Sequence, residues 1–276
     1  MNMFKKRVIL LAIITILAII LSGCATKPVA EQQKAPETPA VPTPPAIPEE
    51  QPAAPPAQEL PAQIPAQQGN FLTTKDNYKI AYNYYPAGDN SPAVILLHMA
   101  ESNSSSWDEY AKQLQENGVS SIAIDLRGHG KSDGDLTRFT DEDYNKMVLD
   151  VEAAKEFLKT QSIDASRIAI IGASIGANIA LKYAATDKGI KGIILLSAGL
   201  DYHGVKTEDA MKSYDRPVLI VASLTDEYAA SSAQTLYDLS TNGDLNFFKV
   251  AGHGTEMFNK FSNLDKFIID WLQVHI

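Results

Sequence analysis

Four short runs in this chain are apolar from end to end: Val94-Ile95-Leu96-Leu97, Ile168-Ala169-Ile170-Ile171, Ile193-Ile194-Leu195-Leu196 and Val218-Leu219-Ile220-Val221. A strand with one face in water alternates apolar and polar residues, because successive side chains point to opposite sides. A strand with no polar side chain is buried on both faces, which implies a parallel sheet between helical layers. The helices are at hand. Trp107 to Asn117 closes on Gly118, and Asp141 to Thr160 carries Met147, Val151, Ala154 and Leu158 along one stripe. Ile175 to Ala185, Tyr228 to Ser240 and a segment from about Asn263 also read as helices. Further strands are expected at Tyr78 to Tyr85, Val119 to Asp125 and Leu245 to Val250, with the four apolar runs extending to Ala93–His98, Arg167–Ala173, Ile190–Ser197 and Pro217–Ser223. The spacing predicts one α/β domain over residues 69–276, with a mostly parallel central sheet.

What precedes that domain is of another kind. Lys5, Lys6 and Arg7 lead into an apolar run from Val8 to Leu21, which is short for a helix that must cross a hydrocarbon layer of about 30 Å. The run closes on Leu21-Ser22-Gly23-Cys24, and this resembles the bacterial lipobox, in which the cysteine is lipidated and becomes the new amino terminus. The resemblance implies a signal peptide over 1–23, lipidation of Cys24 and a membrane-anchored, extracytoplasmic protein. Ala25 stands where an inner-membrane retention aspartate would sit, so the outer membrane is expected if the cell has one. Residues 24–68 hold most of the prolines and no aromatic residue, so they cannot bury enough apolar surface to offset their ordering entropy. They read as an extended tether with a reach on the order of 100 Å.

Several function classes drop out early. The formal charge is -9 with no basic stripe beyond the first residues, which makes a nucleic-acid binder a poor reading. Cys24 is the only cysteine, so the folded part has neither a disulfide framework nor a thiolate metal cluster. No metal or organic cofactor is expected, and the domain is expected to act as a monomer.

The chemistry-bearing residues sit where strands end. Gly172-Ala173-Ser174-Ile175-Gly176 follows a strand directly and opens a helix, and that context turns a weak pentapeptide into a candidate nucleophile elbow. A serine hydroxyl needs a base to take its proton, and the base needs a carboxylate to fix its tautomer. Asp226 lies just beyond the strand ending at Ser223, and His253 just beyond the strand ending at Val250, so both reach the sheet edge that carries Ser174. Glu227 is the neighbouring alternative to Asp226. Of the other histidines, His98 and His129 precede the serine, His203 follows an earlier strand and His275 is terminal. Acyl transfer also needs donors for a developing oxyanion: the N–H of Ile175, and a second from the loop after His98, at Ala100 or Met99.

Together with the loop from His98 to Trp107 and the stretch Asp125-Leu126-Arg127-Gly128-His129-Gly130-Lys131-Ser132, these features resemble the serine α/β-hydrolase superfamily. The likeness is to lidless members similar to dienelactone hydrolases and serine-aminopeptidase-like esterases. The resemblance implies a three-layer α/β-hydrolase fold over roughly 71–276, a triad of Ser174, Asp226 and His253, and a purely structural turn at 125–132. It also implies hydrolysis of a small carboxylic ester, with a peptidase, a thioesterase or a non-catalytic binding protein as alternatives. Met99 stands where relatives commonly carry glycine. Only about twenty residues separate Ser197 from Pro217, where a lid would enter, so no large cap is expected. Leu200, Tyr202, His203 and Met99 are the candidate walls of the site.

Overall fold

The computed structural model describes residues 67–276; the expected signal peptide, Cys24 and all but the end of the tether lie outside the described residues. In chain order the strands are β1 (Gln67–Thr73), β2 (Lys79–Tyr85), β3 (Ser91–Leu97), β4 (Ser120–Ile124), β5 (Ile163–Ala173), β6 (Ile190–Leu196), β7 (Asp201–Tyr202), β8 (Val205–Lys206), β9 (Val218–Ser223) and β10 (Gly243–Phe248). The helices are α1 (Asp108–Glu116), α2 (Asp141–Asn145), α3 (Val148–Lys159), α4 (Ile175–Thr186), α5 (Glu208–Ser213), α6 (Glu227–Leu239), α7 (Met257–Lys260) and α8 (Leu264–His275). Eight strands form one sheet in the order β1-β2-β4-β3-β5-β6-β9-β10, parallel from β4 to β10 and antiparallel at β1 and β2. β1 begins at Gln67, two residues before the expected domain start, and pairs only with β2.

The apolar strands are buried on both faces, as their composition requires. Ile95, Leu97, Ile168, Ile170, Ile193, Leu195, Val218 and Ile220 belong to a core under α3, α4 and α6. Their alternates Val94, Leu96, Ala169, Ile171, Ile194, Leu196, Leu219 and Val221 belong to a second core under α1 and α8. The sheet therefore lies between two helical layers, each strand feeding both.

One expected helix is two. The segment from Asp141 to Thr160 breaks at Lys146 and Met147, where Met147 N–H and Leu149 N–H donate to carbonyls three residues back. Beside the break, the Asn145 amide donates to its own helix at Asp141 O (2.7 Å) and outward to Gly204 O (3.1 Å). The bond to Gly204 ties α2 to the β7–β8 hairpin. That hairpin and the short helix α5 fill the interval after β6, so no large cap is present.

The stretch 125–132 builds a turn. Asp125 accepts from Ser104 N–H (2.7 Å) and Lys131 N–H (2.8 Å), and Ser132 Oγ donates to Asp125 O. Gly130 has φ +53°, and a Cβ there would lie 2.1 Å from Asp125 Oδ2, so only glycine fits. Buried Arg127 ion-pairs with Asp150 and Asp76, both at 2.7 Å, and stacks on Tyr78.

Candidate active site

The elbow is strained in the way a nucleophile turn requires. Ser174 adopts φ 54° and ψ −120°, a left-handed-side backbone that costs a non-glycine residue of order 1–3 kcal/mol. The turn closes because its flanks are small: a Cβ on Gly172 would lie 2.3 Å from Gly176 O. Ser174 N–H donates to Leu196 O at 2.8 Å, which fixes the turn to the neighbouring strand. The serine is 6% exposed. Ile175 begins α4, so its N–H has no acceptor within the helix and lies at the positive end of the helix dipole.

Parallel register brings the other candidates to the same edge. Ala173 pairs with Leu196, Leu196 with Val221, and Ser223 with Phe248, so the strand ends are level. Asp226 caps α6, accepting from Ala229 N–H at 3.3 Å, and its other oxygen meets His253 Nδ1 at 2.5 Å. Adjacent Glu227 is exposed and has no such partner among the described residues, so the geometry separates the two acids. An acceptor on Nδ1 holds the proton there and leaves Nε2 as the basic nitrogen.

The loop bearing His253 is held by two strand-end serines that carry no sequence motif. Ser223 Oγ accepts from Ala251 N–H (2.9 Å), and Ser197 Oγ accepts from Gly254 N–H (3.0 Å). A Cβ on Gly254 would be 3.4 Å from Ala173 Cβ, so the residue after the histidine touches the residue before the serine.

The loop after β3 lies against the elbow from the other side. A Cβ on Gly176 would sit 2.6 Å from the carbonyl oxygens of both Leu97 and His98. Met99 is half-buried and its sulfur accepts from Thr255 Oγ1 (3.8 Å); Ala100 is exposed. His98 is fully buried, its Nε2 accepting from Leu126 N–H (3.0 Å) while Nδ1 donates to Met99 O (2.8 Å). Both bonds require the neutral ring, and burial pushes its pKa down to about 4. His98 is a structural strut between the β3 loop and the 125–132 turn.

A model described as serine aminopeptidase, S33 matches residues 88–224, which takes in the β3 loop, the 125–132 turn and the elbow but ends before Asp226 and His253. The esterase from Exiguobacterium antarcticum superposes with a TM-score of 0.62 at 17% identity, over 75% of this chain and 100% of that one. The α/β-hydrolase GrgF from a Penicillium species superposes with a TM-score of 0.67 at 16% identity, over 77% and 99%.

The fold is that of the α/β-hydrolases.

Among curated sequences, the AB hydrolase superfamily protein YisY of Bacillus subtilis is 29% identical over 47% of this chain and 45% of its own length. The chain spans less than half the length of the curated relatives it matches.

Within this α/β-hydrolase fold, not every expected wall residue lines the site. Exposed His203 stacks on Tyr144 of α2, ring centroids 4.3 Å apart, and Leu200 packs against the core. Tyr202 does reach the centre. Its ring stands perpendicular to that of His253 with centroids 6.5 Å apart, and its phenol donates to Ser197 O at 3.4 Å. Burial and the nearby Asp226 charge push this phenol well above the ordinary tyrosine range, so it remains a neutral donor. Sequence placed Tyr202 beside the site without a role, because a lone tyrosine in a loop carries no motif.

Proposed function

We propose that this protein is a lipid-anchored, extracytoplasmic serine hydrolase that cleaves small carboxylic esters through an acyl-enzyme on Ser174. The observation that carries the reading is the Asp226–His253 bond of 2.5 Å at the sheet edge that also holds Ser174 on a strained elbow. In this reading Ser174 Oγ attacks the carbonyl carbon while His253 Nε2 takes its proton, with Asp226 stabilising the imidazolium. The N–H of Ile175 and that of Met99 or Ala100 bind the oxyanion. His253 returns the proton to the departing alcohol, and water then cleaves the acyl-serine by the reverse relay. The esterase named among the structural neighbours supports an ester as substrate. The anchor rests on the lipobox at Cys24.

Peptide hydrolysis is the second reading, favoured by the description of the matching model. A panel of short acyl esters and aminoacyl amides separates the two: the ester reading predicts kcat/KM for esters at least about a hundredfold higher. Amides turned over as well as esters would make the protein a peptidase.

A further inference from the structure

Tyr202 is held where it is with unusual care. The hairpin β7–β8 turns through His203 and Gly204, both at positive φ (50° and 72°), the geometry of a tight two-residue turn. Buried Asn178, one turn beyond Ser174 in α4, bridges the hairpin's two roots: its Nδ2 donates to Val205 O (2.8 Å) and its Oδ1 accepts from Gly199 N–H (3.0 Å). Thr207 Oγ1 donates to Gly199 O (2.8 Å). The Tyr202 ring lies against Gly199, where a Cβ would come within 2.7 Å of it, and edge-on to Tyr228. Tyr228 in turn clamps the backbone of Asp201, its hydroxyl 3.0 Å from both N and O. Against this rigid mounting, the phenol's own hydrogen bond is slack: it reaches Ser197 O at 3.4 Å. A half-buried donor on this frame, beside His253 and without a tight acceptor, is available to something else.

Sheet order indicates what that is. β5, which carries Ser174, lies between β3 and β6. The expected oxyanion donors come from the elbow and the β3 side. Tyr202 comes from the β6 side, its ring perpendicular to the His253 imidazole. In acyl transfer the leaving oxygen must lie near His253 Nε2, because it receives that proton. The geometry points to Tyr202 as a further catalytic residue, which donates a hydrogen bond to the leaving-group oxygen of an ester of an unactivated alcohol. This rests on the acyl-enzyme reading above. As the tetrahedral adduct collapses, the C–O bond electrons pass to the alkoxy oxygen and the imidazolium proton follows to give free alcohol. The phenol keeps its own proton and only stabilises the charge that builds before that transfer completes.

The test is Tyr202→Phe in the full chain, comparing kcat/KM for an alkyl ester and a p-nitrophenyl ester of the same acid. An alkoxide-like leaving group needs the donor and a nitrophenolate does not. The alkyl ester should lose on the order of tenfold to a hundredfold, while the nitrophenyl ester and fluorophosphonate labelling stay within about twofold. Equal losses on both esters would reduce Tyr202 to a positioning role, and no loss on either would remove it from catalysis; both outcomes overturn the inference. Wild-type protein that fluorophosphonate does not label at Ser174 would instead overturn the acyl-enzyme reading beneath it.

Discussion

Asp226 and Glu227 are one residue apart in the chain and far apart in environment. Asp226 takes the cap position of α6, where one oxygen satisfies a helix N–H and the other is aimed at His253. Glu227 is already inside the helix and exposed. Asp226→Asn should therefore retain the cap while presenting the wrong tautomer to Ser174, lowering kcat about ten-thousandfold at neutral pH. Glu227→Gln should stay within about twofold. Steady-state kinetics on the two variants checks this, and a severe loss in Glu227→Gln would reassign the acid. The same scale explains what the sequence concealed. Ser197 and Ser223 fix the histidine loop through single side-chain bonds between distant segments, and such pairings have no periodic or spacing signature.

At the scale of elements, the elbow functions as a joint among β3, β5 and α4. Gly176 is in the first turn of α4 with Leu97 O and His98 O where its side chain would be. Carbonyls of a strand end cannot rotate away as a side-chain tip would, so Gly176→Ala must push the β3 loop from the helix. Overpacking of this kind costs about 1–3 kcal/mol, and the displaced loop carries an expected oxyanion donor. Activity should fall on the order of a hundredfold with a melting temperature only a few degrees lower; unchanged kcat/KM in the variant would place the donor elsewhere. Most elements were legible beforehand because their causes are local and strong. Doubly buried strands announce themselves by composition, and α3 by its Val151, Ala154, Leu158 stripe. The elements that escaped depend on tertiary partners. β1 is an edge strand defined by pairing with β2, the hairpin β7–β8 is two residues a side, and α2 is tied to that hairpin by Asn145.

At the scale of the whole molecule, the proposed lipid anchor and the α/β-hydrolase fold are tested separately. Cys24→Ala should block lipidation and leave a precursor heavier than the mature wild-type polypeptide, as read by intact-protein mass spectrometry. Processing to the wild-type mass would contradict the anchor. The proposed role of Ser174 as nucleophile of an ester hydrolase is independent of the anchor and meets one decisive measurement. Purified wild-type protein treated with a fluorophosphonate should carry one adduct on Ser174 and lose its ester hydrolysis in proportion to labelling. Ser174→Ala, whose smaller side chain relieves no buried partner of more than a hydroxyl, should fold, take no adduct and show no hydrolysis above that of the oxyanion donors alone. A well-folded Ser174→Ala protein that still hydrolyses esters at the wild-type rate would rule out Ser174 as the nucleophile.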